Sequence, residues 1–207
     1  VNTHPTTTRR LQSHRSYPPF QNSIDIGRVI SDPTYPFHPA VDIEYNGSMS
    51  QTKTNATDTL DALNIPYELF IHERPLTSIE QAAEERGLQT AQIIRSLLFR
   101  TSKEGFVMVL MPGPAQVSWS KLRHYLGISR LTTASEVEVL EMTGYERGAV
   151  SPLGLHGIIR ILGDDGICEH EVVSLGAGIR NAGIIMRRDD LLRAVEIELS
   201  DFKDMKG

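Results

Sequence analysis

Cysteine is nearly absent from this chain of 207 residues: Cys168 stands alone, so no disulfide can form within the chain and a reducing compartment is expected. No stretch reaches the roughly 20 consecutive apolar residues that cross a bilayer, and residues 1–20 contain no apolar segment of the secretory type. A soluble, cytoplasmic protein with no membrane partner is therefore expected. Positive charge is also in short supply. Lys and Arg number 21 against 26 Asp and Glu, and a net charge of −5 argues against a protein that coats a long stretch of nucleic acid. Aromatic residues make up only 6%, yet hydrophobic residues reach 40%, enough for one sizeable core.

Composition divides the chain near residue 48. Residues 1–48, from "VNTHPTTTRR" to "YPFHPAVDIEYNGS", are rich in Pro, Thr and Ser and show no sustained apolar period of 2 or 3.6. Burial cannot offset the ordering entropy of such a segment. Its histidines, His4, His14 and His38, are irregularly spaced and do not suggest a metal site. "MSQTKTNATDTL", from Met49, reads like a natural start, so 1–48 is expected to be a flexible or non-native extension and 49–207 the functional domain.

From residue 55 the punctuation is orderly. "TDTLDALNI" carries Leu60 and Leu63 at helical spacing before Pro66 forces an exit. "YELFIH" reads as a strand. "TSIEQAAEERG" reads as a helix with Thr77 and Glu80 at capping-box spacing and Gly87 as its stop. "RSLLFRT" and "FVMVLMP", joined by "SKEG", predict a hairpin whose continuous apolar runs belong at the centre of a sheet. "SWSKLRHYLG" predicts a helix from Ser118 to Gly127, and "TASEVEVLEMTG" another, capped by Thr133 and Glu136 and stopped by Gly144. "GIIRIL", "EVVSL" and "GIIMR" are strand candidates and "RDDLLRAV" a closing helix. The order implies a single mixed α/β domain with a six- to seven-stranded sheet and helices packed outside.

Between the last two segments of the middle region lies "GYERGAVSPLGL", with glycines at 144, 148 and 154 and Pro152 stiffening the exit. Two readings are open. Such a loop can be a tight connection built of turn residues, or a rigid rim of backbone N–H groups able to hold a carbonyl, a carboxylate or a developing oxyanion. Elsewhere, Cys168 and His170 fall short of a zinc-ligand set, and a half-buried strand position suits Cys168 better. No metal or other cofactor is expected. Ser151 with His156 as its base is a sharper catalytic reading, resting only on closeness along one loop.

The blocks "LTSIEQAA", "QIIRSLLFR", "VLMPGPAQVS", "TGYERGAVSPLGL" and "SLGAGIRNAGIIMRRDDLL" together resemble the YbaK-type, prolyl-tRNA synthetase-associated editing domains over about residues 57–200. The resemblance implies hydrolysis, in trans, of the ester joining a wrong amino acid to a tRNA 3′ end. It places the family's G-x-x-x-P loop on Gly148, Ala149, Val150, Ser151 and Pro152, which would cradle the aminoacyl group, and it adds Asp165 as an acidic residue after a strand. One position departs. The family's lysine before "TL" or "SL" is Arg95 here, which keeps the charge but exchanges a rotatable ammonium for a planar fork that cannot act as a base.

Charge distribution fits a small RNA footprint. Residues 95–130 hold six basic residues against one acidic, a local balance of +5 in a chain of net −5. Arg100, Lys121 and Arg123 are the expected tRNA contacts, with Trp119 and Tyr125 available for stacking. So confined a patch implies weak, salt-sensitive affinity and makes help from an aminoacyl-tRNA synthetase plausible. Three functions follow: a trans-acting deacylase of small mischarged amino acids (cysteine, alanine, serine or proline), with Arg95, Gly148 and Ser151 at its centre; a silent binding module of the same fold, because of Arg95; and a thiol or metal enzyme using Cys168 and His170. Deleting residues 1–48 is expected to move the melting temperature by less than about 2 °C, the shift of a fraction of a kcal/mol at this size, as a differential melting curve would measure.

Overall fold

A computed structural model describes residues 52–102 and 105–204; the expected extension at 1–48 lies outside the described residues. Helix α1 (Asn55–Ala62) is closed at its N-terminus by a reciprocal pair, Thr54 with Thr57, and strand β1 (Glu68–Ile71) follows. Leu60 of α1 is fully buried, whereas Leu63 is exposed beyond the helix end. Helix α2 (Ile79–Glu85) starts at Ser78, whose hydroxyl accepts from Gln81 N–H, one residue later than the expected Thr77. Thr77 instead donates to the Gln81 side chain. The hairpin forms as expected from β2 (Ile94–Thr101) and β3 (Gly105–Pro112), paired antiparallel from Ile94↔Pro112 to Thr101↔Gly105.

Helix α3 (Trp119–Leu126) ends at left-handed Gly127. The short strand β4 (Leu131–Thr133) then takes Thr133, so the cap of α4 (Glu136–Thr143) shifts from the expected Thr133 to Ser135, which forms a capping box with Glu138. Left-handed Gly144 stops α4. Strands β5 (Arg160–Asp164), β6 (Val172–Gly176) and β7 (Ala182–Arg187) precede α5 (Arg188–Ala194) and β8 (Glu198–Ser200). The mixed α/β class stands, with eight strands among the described residues in two sheets, ordered β4-β2-β3-β5-β8 and β1-β7-β6. A single parallel bridge, Ile93↔Ser174, links them.

Strand β3 shows why its apolar run is continuous. Met108 and Leu110 enter the main core, shared with Leu60, Leu175 and Ile184. Val107, Val109 and Met111 enter a second core with Leu122 of α3 and Phe202. Both faces of this strand are therefore buried, as parallel pairing with β5 also requires. Asp164, 1% exposed, locks the end of β5 to the C-terminal segment: its two carboxylate oxygens accept from Gly166 N–H and Phe202 N–H, both at 2.9 Å. Asp164→Ala would leave two N–H groups without acceptors, at a cost of about 3 kcal/mol. The expected outcome is a melting temperature lower by about 6–12 °C, read by circular dichroism.

Candidate active site

A cavity of about 760 Å³ lies between the two sheets, lined among others by Arg86, Arg95, Ser96, Gly148, Val150 and Gly176. Its existence follows from pairing. Strand β4 hydrogen-bonds only with Phe99–Thr101 of β2, so the edge of β2 before Phe99 has no strand beside it. The volume is in the range of small-ligand sites.

The glycine loop forms one wall. Tyr145 OH donates to the carbonyls of Leu153 (2.6 Å) and Gly154 (3.2 Å), drawing the loop's two ends together. Burial pushes this phenol up to about 12, so it stays a donor across the physiological range. Gly148 has φ +90°, a conformation that a residue with a Cβ adopts only under strain, and is exposed at the cavity. Ala149 N–H is bonded to Glu146 O at 2.9 Å. The N–H groups of Gly148, Val150 and Ser151 have no acceptor among the described residues. Pro152 is buried behind the loop, as is Ala149.

Arg95 enters from β2. One Nη donates to Ala115 O, while Nε is buried with no partner, and the neighbouring Ser96 Oγ is also buried and unpaired. Burial lowers the Arg95 pKa. The guanidinium is thus desolvated and only partly satisfied, an expensive arrangement for folding alone. Trp119, 40% exposed, also lines the cavity, its ring edge-on to Phe99 at 5.3 Å.

The remaining expected residues fall elsewhere. Ser151 is fully buried outside the cavity lining, and its Oγ accepts from Leu153 N–H at 3.3 Å. His156 meets Asn55 Nδ2 at 3.4 Å, and no Ser151–His156 bond forms. Asp165 is exposed in a 3₁₀ turn after β5, its pKa raised by desolvation and by the nearby Asp164 and Asp201, and it does not line the cavity. Cys168 sits in that same turn, exposed, and not on a strand as expected. Among the described residues no group of three or more His, Cys, Asp or Glu is arranged to hold a metal. Of the basic residues, Arg100 pairs with Glu138 at 2.7 Å and Lys121 with Asp201 at 2.8 Å. Arg123 lies in the last turn of α3. Tyr125 is bonded to Glu198 and covered by Arg160, so Trp119 is the better-placed of the two aromatic rings for stacking.

Sequence reasoning missed Arg86. Its Nε donates to His72 Nε2 at 3.1 Å and Nη1 to Ser174 Oγ at 2.9 Å. His72, 5% exposed, turns Nδ1 to Glu85, whose pKa is lowered by hydrogen bonds from Gln81 and His72.

The mixed α/β frame has counterparts among known proteins. The aminoacyl-tRNA editing domain family matches residues 73–194, more than half of the chain, and the protein belongs to that family. It is 27% identical over 141 residues to the multifunctional Ser/Thr-tRNA deacylase ProXp-y of Escherichia coli (strain K12), covering 66% of this chain and 84% of that protein. It is 33% identical over 98 residues to a proline–tRNA ligase of Thermosipho melanesiensis, covering 47% of this chain and only 17% of the ligase. The chain thus spans less than a quarter of the ligases it matches. The fold is shared with a solved structure described provisionally as a trans-editing enzyme for prolyl tRNA synthetase, with TM-score 0.67 and 22% identity over 74% of this chain and 99% of the other.

Arg95→Met removes a desolvated charge and keeps the apolar stem. It is expected to leave the melting temperature unchanged or raise it by about 2–4 °C, equivalent to ~1 kcal/mol. A fall of that size would mean that Arg95 serves the fold.

Proposed function

We propose that this protein is a trans-acting aminoacyl-tRNA deacylase that hydrolyses the ester between a small amino acid and the 3′ end of tRNA. The observation that carries this reading is the set of unpaired amides of Gly148 and Val150 at the rim of a cavity that also holds Arg95. An aminoacyl ester is already activated, so catalysis requires placement and charge stabilisation more than a nucleophilic side chain. Water adds to the ester carbonyl carbon, and the oxygen that becomes anionic accepts hydrogen bonds from the loop amides. The carbonyl then re-forms, the bond to the ribose oxygen breaks, and that oxygen takes the proton released by water, yielding free amino acid and tRNA. Arg95 lines the cavity with one Nη held by Ala115 O and serves as a fixed cationic donor to ribose or phosphate oxygens, not as a base. Ala149, Ser151 and Pro152 hold the loop from behind, Ser151 through its hydroxyl, which accepts from Leu153 N–H.

The ends of the RNA are met by few free charges. Arg100 and Lys121 already face carboxylates, so Arg123 and stacking on Trp119 carry more of the grip, affinity is weak and salt-sensitive, and a synthetase acts as carrier. Asp165 and the Cys168–His170 pair take no part. A second reading, a binding module without turnover, draws on Arg95 already spending one nitrogen on Ala115 O.

Purified protein incubated with cysteinyl-, alanyl-, seryl- and prolyl-tRNA tests the two readings together. Accelerated release from at least one is expected; none, with RNA binding intact, favours the binding module. In an active protein, Gly148→Val should lower the rate by about 10²–10³, the effect of losing one oxyanion donor, through strain at φ +90°. Arg95→Ala should weaken capture and flatten its salt dependence, and Arg95→Lys should retain or raise turnover. Equal rates and salt slopes for all three residues at position 95 would remove Arg95 from the mechanism.

A further inference from the structure

Arg86 is held in a way that the proposed chemistry does not use. It follows α2 directly, and its guanidinium lies against the β1-β7-β6 sheet. Because Arg86 Nε donates to His72 Nε2, that ring nitrogen carries no proton, and the imidazole is neutral with its hydrogen on Nδ1, facing Glu85. Ser174 Oγ in turn donates to Ile184 O at 2.9 Å, which leaves its lone pairs to Arg86. Two acceptors whose own hydrogens are committed therefore fix the guanidinium. Its remaining nitrogen, Nη2, has no partner among the described residues.

The sheet places this group beside the glycine loop. Gly176 of β6 and Gly183 of β7 are directly opposed, so the side chains they lack belong to one face. A Cβ on Gly183 would strike the Arg86 guanidinium, and one on Gly176 would strike the carbonyl oxygen of Val150. Opposed Cβ positions are about 5 Å apart, so the guanidinium and the loop lie side by side over a floor of two glycines, within about 10 Å of each other. A hydrogen bond of about 3 Å at each end, added to the few ångströms between the carbonyl and side-chain oxygens of a small aminoacyl ester, spans a separation of that size. Arg86 and Val150 line the same cavity. Burial lowers the Arg86 pKa, partly offset by Glu85, as expected for a cation short of solvent.

We propose that Arg86 selects the acyl group, favouring amino acids whose side chain carries an oxygen acceptor, such as seryl, threonyl or aspartyl, over alanyl and cysteinyl. This rests on the deacylase reading of the cavity and assigns the side-chain end of the site. An alanyl methyl leaves Nη2 desolvated and unpaired, and a thiol is a poor acceptor, whereas a hydroxyl or carboxylate oxygen completes the fork. Sites built to hydrogen-bond a substrate reject analogues that lack the group far more strongly than apolar pockets reject an extra atom.

Two measurements test it. The first is the ratio of seryl to alanyl release from the same tRNA, expected to be about tenfold or more in the native protein and to fall to near unity in Arg86→Met, with Arg86→Lys between. The second is calorimetric binding of amide-linked 3′-seryl-, 3′-aspartyl- and 3′-alanyl-aminoadenosine, which needs no turnover; the seryl or aspartyl compound should bind more tightly than the alanyl one, and Arg86→Met should erase the difference. Melting curves establish that each variant is folded. Equal handling of seryl and alanyl groups by the native protein, or parallel losses for both in folded Arg86→Met, would overturn the assignment. Binding selectivity that depends on Arg86 without any hydrolysis would overturn the deacylase reading and leave Arg86 as the selector.

Discussion

The hydroxyl of Tyr145, held by the carbonyls of Leu153 and Gly154, is the constraint on which the site depends. It joins the two ends of the glycine-rich loop, and the backbone between them is consequently presented as a fixed edge. The anchor continues into α4, where Thr143 Oγ1 donates to Val139 O at 2.6 Å and accepts from Tyr145 N–H at 3.1 Å. On the far side the ring packs where a Cβ on Gly178 would stand. Helix, loop and the β6–β7 turn thus form one unit. A loop held in this way can leave amides unpaired toward a cavity without collapsing onto them, which is the preorganisation that oxyanion stabilisation requires.

The cavity itself follows from the sheets. Strand β4 is too short to cover β2, and among the described residues the second sheet is bridged only to Ile93, just before β2, so space remains between them. Into that space the chain places Arg95 and Arg86, both half-buried and both with a nitrogen lacking a protein partner. Desolvated cations cost stability. Their arrangement along one cavity is what supports the proposed site for a ligand with oxygen acceptors.

Much of this was legible beforehand. The helix stops at Gly127 and Gly144, the central hairpin and the glycine loop each rest on local signals that tertiary packing reinforces. Strands β4 and β8, three residues each, carry no period of their own and exist only because β2 and β5 offer edges. The caps moved by one or two residues because neighbouring Ser and Thr compete: at α2 Thr77 binds the Gln81 side chain and Ser78 caps, and at α4 strand β4 takes Thr133 and leaves Ser135. Arg100 and Lys121 resemble a basic patch in sequence, but their partners, Glu138 and Asp201, arrive from distant segments. The Arg86 assembly unites positions 72, 86 and 174, a combination no linear motif exposes.

The central claim, that the loop's unpaired amides receive the acyl oxygen, is tested most directly by amide proton shifts in ¹⁵N-labelled protein titrated with an amide-linked 3′-aminoacyl adenosine. Gly148 and Val150 should move downfield on saturation, while Ala149, already bonded to Glu146 O, stays in place and serves as the internal reference. Stationary Gly148 and Val150 resonances in a saturated complex, or shifts centred instead on the turn that holds Asp165 and Cys168, would contradict the account.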